Sequence, residues 1–247
     1  PFSVRMLTIF NKEINTFFSS LTAYIVMAVF LTAIGLLIWV FPDTNVLNYG
    51  YADLSTFFTL TPFVLLFLIP AITMRSMAEE VRNGTIELLL TKPLSDWGLV
   101  FGKFLANWVL VVLTLAPTLL YYYTVYQLGN PIGNIDTGAV FGSYIGLLLL
   151  STVFVAVGLW ASSLSDNQIV AFVVAVFVCF LLFAGIGAVA KLDFGSEWTY
   201  PLSWISLEQQ YADLGRGLVD SRNVIYLLSV TGLFLWFTQN QIRKKKG

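Results

Sequence analysis

The chain has 247 residues, 57% of them hydrophobic and only 11% charged, with a formal net charge of -1 and a mean hydropathy of +0.81. That balance excludes a water-soluble globule with a wetted surface; long uncharged runs of about 20 residues are what helices need to cross a bilayer. The chain has no histidine and a single cysteine, Cys179, inside an apolar run, which removes the commonest general base and metal ligand and any disulfide within the chain.

In chain order, the first expected element is an amphipathic helix over residues 1–20. In "VRMLTIFNKEINTFFSSL", Val4, Leu7, Phe10, Ile14, Phe17 and Phe18 recur at helical spacing, while Arg5, Lys12 and Glu13 fall off that stripe. Such a helix lies along a membrane surface, and Ser19-Ser20 turn it into the first span. Six spans are expected, near Leu21–Phe41, Ser55–Met74, Lys103–Tyr126, Gly138–Leu164, Gln168–Ala190 and Val224–Thr238. The first is too long, and too deep in the chain, for the short apolar core of a cleavable leader. Pro62, Pro70 and Pro117 are expected to kink their spans. Gly98–Gly102 and Gly142–Gly146 are G-x-x-x-G patterns that permit close helix contact, within one chain or between chains.

Lysine and arginine resist translocation and so orient the spans. Arg5 and Lys12 precede the first span, Arg75, Arg82 and Lys92 lie between the second and third, and Arg243 to Lys246 follow the last. All share one side if both termini are cytoplasmic. The other side receives "PDTNVLNYGYADL", "QLGNPIGNID" and an extracytoplasmic segment at 191–222. Within that segment Trp204, Leu207, Tyr211, Leu214 and Leu218 form a second amphipathic stripe. Trp97, Trp160 and Trp236 fall near the inner interface, where an amphipathic ring is comfortable. Lys103 and Asp166 read as snorkelling groups at span edges, and the spans themselves read as free of buried acid–base pairs.

The charge is concentrated in "TMRSMAEEVRNGTIELLLTKPLSDW", Thr73 to Trp97. Met74, Met77, Ala78 and Val81 share one helical face, and Arg75, Glu79 and Arg82 share another at spacings that allow ion pairs. Asn83-Gly84 is a helix stop, because both residues tolerate positive φ. Thr85 then opens a second short helix in which Ile86, Leu89 and Leu90 share a face and Glu87 points elsewhere. Pro93 ends it, and Ser95 caps the helix that becomes the third span. An ordered sequence of stripe, stop and cap suits a docking element better than a slack loop.

The stretch "MRSMAEEVRNGTIELLLTKPLSDWGLVFGK" resembles the segment between the second and third spans of ABC-2 type transporter permeases. "GLVDSRNVIYLLSVTGLFL" is similar to that family's lead into its last span, and "FNKEINTFF" to its N-terminal interfacial helix. "LNYGYADLSTFFTLTPFVLLFLIPAITMRSMAEE", with the short length, looks like the gliding-motility-associated permeases of the GldF type. The resemblance implies an all-α integral membrane protein forming one domain over 1–247: six transmembrane helices, a cytoplasmic interfacial helix and a coupling helix between spans two and three. It implies a multi-pass location in the bacterial inner membrane. It also implies cytoplasmic ATPase subunits that bind ATP and Mg, a second permease chain that is identical or related, and an envelope secretion or motility apparatus. By the same resemblance the ATPase-coupling region is 75–97, with Arg75, Glu79, Glu80, Arg82, Gly84, Thr85, Glu87, Leu90 and Pro93 as its contact and bend residues.

The residues themselves point away from rival classes. No G-x-x-x-x-G-K-[ST] loop is present to bind ATP, and there is neither an H-E-x-x-H nor a G-x-S-x-G motif for hydrolysis. A secondary transporter would need an intramembrane ion site or an inverted repeat, and no nucleic-acid partner is expected.

Overall fold

In the computed structural model, which describes residues 2–48, 50–84, 95–191, 204–217 and 220–246, every regular element is helical. The helices are α1 (Phe2–Ser19), α2 (Thr22–Trp39), α3 (Ser55–Thr73), α4 (Arg75–Arg82) and α5 (Asp96–Leu115). They continue with α6 (Leu119–Leu128), α7 (Thr137–Leu164), α8 (Gln168–Phe180), α9 (Ile186–Lys191), α10 (Leu207–Leu214) and α11 (Ser221–Lys246). Among the described residues, five stretches are long and apolar enough to cross a membrane: Thr22–Trp39, Ser55–Arg82, Asp96–Leu128, Thr137–Leu164 and Gln168–Ala190. The expected sixth stretch, Val224–Thr238, lies inside α11, but Gln239, Asn240, Gln241 and a basic end follow it at once. Its apolar part is therefore shorter than in the other five.

Local signals account for most boundaries. Ser95 accepts a hydrogen bond from the Gly98 N–H (3.1 Å) at the start of α5, and Asp136 from the Ala139 N–H (3.0 Å) at the start of α7. Asn167 does the same for the Ile169 N–H (2.9 Å) of α8. Each side-chain oxygen satisfies a donor that the helix itself cannot. Because Ser95 caps there, the third span starts at Asp96, and Lys103 stands inside it rather than at its entrance. Of the three prolines, Pro117 interrupts its span with a 3-10 turn at Ala116–Thr118, whereas Pro62 and Pro70 remain within α3. The fifth span contains π-helical backbone at Leu181–Gly185, between α8 and α9.

The central element is α7, which packs against α3, α4, α5, α8, α10 and α11. Glycines set how near these neighbours come. A Cβ at Gly158 would overlap the Thr73 side chain on α3, and one at Gly142 would collide with the Leu214 carbonyl of α10. One at Gly146 would press on the Tyr211 ring. On α5, a Cβ at Gly102 would lie 2.9 Å from Ile9 Cγ2 of α1. The Gly142–Gly146 pair and Gly102 therefore serve contacts within the chain, the use that small residues commonly have between apolar helices. Gly98 sits in the first turn of α5, where its N–H meets Ser95.

Of the amphipathic stripe expected at 204–218, Leu207, Tyr211 and Leu214 fall in α10 and are buried, Trp204 is exposed, and Leu218 lies outside the described residues. Leu207, Gln210, Tyr211 and Leu214 all point inward. Tyr211 closes a gap in the backbone: Pro62 has no N–H to offer the Phe58 carbonyl one turn earlier, and the Tyr211 hydroxyl donates to that carbonyl at 2.7 Å. The least enclosed spans are Thr22–Trp39 and Gln168–Ala190. They expose Val29, Leu36, Val173 and Phe177, an apolar surface suited to lipid or a partner chain.

Replacing Tyr211 by Phe keeps the ring and leaves the Phe58 carbonyl unsatisfied. The expected cost is about 1–3 kcal/mol, read as a lowered thermal midpoint in detergent. An unchanged midpoint would show that the hydroxyl is dispensable.

Candidate functional site

The charged helix α4 follows α3 after a one-residue break at Met74. Its faces divide as its sequence suggests: Ser76, Met77 and Ala78 are buried, while Arg75, Glu79 and Arg82 are exposed. It stops at Asn83-Gly84, with Gly84 at φ +66° and its N–H bonded to the Val81 carbonyl at 3.2 Å. A residue with a Cβ is strained in that conformation, so glycine is the natural stop.

Met74 has no side-chain acceptor to cap α4, and a neighbouring helix supplies one. The Ser162 hydroxyl, near the end of α7, accepts from the N–H groups of Met77 and Ala78 at 3.0 Å each. It also donates to the Met74 carbonyl at 2.9 Å. One hydroxyl thus satisfies donors that the first turn leaves open, and it fastens α4 to the central helix.

The other face of α4 is held by a buried ionic cluster. Lys103 on α5 is only 1% exposed, yet its ammonium group meets three oxygens. It donates to Glu13 Oε1 on α1 (2.8 Å) and to the Ser76 carbonyl (2.6 Å), and forms an ion pair with Glu80 Oε1 on α4 (3.0 Å). Lys12 approaches the same Glu80 oxygen at 3.0 Å from the solvent side. Asn107, one turn beyond Lys103, donates to Ser76 Oγ at 3.0 Å and to the Lys103 carbonyl at 2.8 Å. Two ammonium groups against two carboxylates make the cluster neutral, and burying an unpaired charge would be far more costly. Partial burial disfavours the Lys12 ammonium, but the hydrogen bond and charge of Glu80, with Glu13 beside it, outweigh that and raise its pKa above the usual lysine value.

Beside the cluster a cleft of about 350 Å3 opens between α1 and α4, lined by Lys12, Glu13, Thr16, Arg75, Glu79 and Asn83 among others. Here charged side chains and a concave surface coincide on the face carrying the exposed side of α4. A second cleft of about 470 Å3, at the other end of α3 and α7, contains Asp53, Asp136, Tyr211 and Arg216. Its two aspartates already accept backbone N–H bonds, from Ser55 and Ala139.

Two readings of the sequence need correction. Lys103 is not a snorkelling group at a span edge, and the spans are not free of buried acid–base pairs: Lys103 sits in one with Glu13 and Glu80. Hydropathy treats an isolated lysine as a boundary, because its counter-ions lie far away in sequence. Glu80 also differs from Arg75, Glu79 and Arg82, since its side chain is 12% exposed and turns into the cluster. Thr85, Glu87, Leu90 and Pro93 lie outside the described residues. The sequence reading did not single out Glu13, Ser76, Asn107 or Ser162 for this site. One signal was available: Lys103 and Asn107 are polar, four apart, and set in an otherwise apolar helix.

Lys103→Met leaves two carboxylates facing the single ammonium of Lys12, and the expected loss is about 3–5 kcal/mol. Adding Glu13→Gln and Glu80→Gln to it should recover most of that loss. Thermal midpoints of the single and triple variants check this; equal damage in both would mean that charge balance is not what holds the cluster.

Comparison with known proteins bears on what this assembly belongs to. Residues 40–207 match the family model described as "ABC-2 family transporter protein". The chain is also similar to "Probable multidrug ABC transporter permease YbhR" of Escherichia coli (strain K12), at 29% identity over 145 residues. The counterpart of that name from Escherichia coli O157:H7 matches equally. The alignment covers 58% of this chain and 37% of the relative, so the chain spans well under two thirds of the length of the curated relatives it matches. The family match takes in the charged helix and all or most of four of the five apolar stretches. A multi-pass helical body with a charged helix capped and salt-bridged onto it, matched over most of its length, belongs to the ABC-2 family of transporter membrane proteins.

Proposed function

We propose that this chain is the membrane subunit of an ATP-driven transporter in the bacterial inner membrane, and that α4 is where the drive enters. In this reading a separate cytoplasmic ATPase binds ATP and Mg, rests against Arg75, Glu79 and Arg82, and moves α4 when it closes. Gly84, Thr85, Glu87, Leu90 and Pro93 continue the same coupling surface. Glu80 acts from inside, holding α4 to α1 and α5. With α11 as a sixth span both termini are cytoplasmic, and the basic Arg243–Lys246 run stays on the ATPase side. A second permease chain, identical or related, completes the path across the membrane.

The observation that carries this reading is the division of labour on α4. Its inner face is bonded to three other helices, through Ser162, Lys103 and Lys12, while its outer face offers alternating charges. A helix built this way transmits displacement instead of absorbing it. Physically, the ATP-bound partner must hold one arrangement of the spans better than the other, because equal affinity shifts nothing.

For the output, we propose export or force transmission serving envelope secretion or gliding motility, as the likeness of "LNYGYADLSTFFTLTPFVLLFLIPAITMRSMAEE" to permeases of that kind suggests. A second reading, export of small molecules, draws on the name of the Escherichia coli relative. Deleting the gene distinguishes them: lost gliding or secretion favours the first, and drug sensitivity with normal motility favours the second.

The coupling surface has its own test. Glu79→Arg combined with Arg82→Glu preserves net charge and reverses its pattern on an exposed face. Co-purified ATPase should fall at least about tenfold, with an unchanged thermal midpoint. Full retention of the ATPase by a folded variant would remove α4 as the docking element.

A further inference from the structure

A third cleft, of about 620 Å3, lies between the end of α7 and the end of α11. It is lined by Trp160, Trp236, Phe237, Asn240, Gln241, Arg243 and Lys244. We propose that it is a binding site for an anionic phospholipid, with the acyl chains against the indoles and the phosphodiester against Arg243 and Lys244.

The lining changes character along its length. At one end Trp160 packs on Phe237 with ring centroids 6.4 Å apart, and Trp236 packs on the same ring at 5.4 Å. These rings flank the point where the apolar run of α11 gives out, near Thr238. A little over one turn further on the lining becomes Asn240 and Gln241, amide donors that suit ester oxygens, and then Arg243 and Lys244. Apolar, amide and cationic groups thus follow one another in the order of acyl chain, glycerol ester and phosphate. Indole rings favour this level of a bilayer, and juxtamembrane basic clusters attract anionic headgroups.

Charge fixes the class of lipid. No carboxylate lines the cleft, and neither Arg243 nor Lys244 has an acidic partner among the described residues. Elsewhere on this side, Lys12 and Lys103 are matched by Glu80 and Glu13. A zwitterionic lipid offers the same phosphate, but its own cation offsets the attraction, so an anionic lipid is preferred. An acidic soluble protein fits less well, because the Trp160–Trp236 end belongs to the apolar part of the helices, below the reach of a water-borne partner.

The proposal is independent of ATPase docking and is tested on the full chain. Nanodiscs of equimolar phosphatidylcholine and phosphatidylglycerol are the probe, with lipid retained on release read by native mass spectrometry. The wild type should keep phosphatidylglycerol preferentially. Arg243→Gln with Lys244→Gln should reduce that preference about 25-fold, near fivefold per cation. Trp236→Ala should weaken it without altering charge, and thermal midpoints in pure phosphatidylcholine should stay unchanged for all variants. Equal retention by wild type and the double variant overturns the proposal. So does an effect of the cations with none from Trp236, which would mean diffuse attraction to a basic tail. Displacement of the lipid by inorganic phosphate would reassign the site to a free anion, and loss of an acidic protein in place of lipid would reassign it to a partner.

Discussion

An ammonium group inside a helical bundle must be neutralised on the spot, and the position of Lys103 imposes that requirement on three elements together. Glu13 comes from the N-terminal helix, Glu80 from the short charged helix, and the Ser76 carbonyl from the first turn of the latter. Such a cluster adds little net stability, since its desolvation offsets much of its attraction. Its effect is on geometry. Moving any one of the three helices alone would leave a charge unpaired in an apolar setting, so α1, α4 and α5 are constrained to move together.

The central helix extends that constraint lengthwise. Near one end of α7, Ser162 caps α4; near the other, Gly142 and Gly146 admit the α10 helix almost to backbone contact. The separation along the helix is about 30 Å, comparable with the thickness of a bilayer's apolar layer. The charged helix near one end and α10 near the other therefore bear on a single continuous helix. Tyr211 adds a polar anchor at the far end by completing the backbone that Pro62 leaves open in α3. Whatever arrangement the spans adopt, both ends have to accommodate the same helix.

Much of this architecture was legible before any coordinates. Apolar runs located the second, fourth and fifth spans to within a residue or so, because hydropathy and helical period act locally. The Asn83-Gly84 stop, the Ser95 cap and the two faces of α4 were legible for the same reason: each depends on residues within one or two turns. The site was less so. Arg75, Glu79 and Arg82 were placed on the outer face correctly, but Glu80 was grouped with them, and Lys103 was read as the edge of a span. Glu13 and Lys103 are 90 residues apart, and no local pattern announces that they meet. Ser162 and Tyr211 were missed as partners on the same grounds, since each completes a hydrogen bond that another segment leaves open.

Sequence alone thus determined that the chain is a multi-pass helical membrane protein with one charged helix stopped at Asn83-Gly84. Those properties follow from short-range preferences and from the cost of placing charge in lipid. Only the tertiary structure decided which charges are hidden and which are offered to a partner. That outcome depends on long-range pairing, where one buried ammonium group selects its counter-ions from helices far removed along the chain.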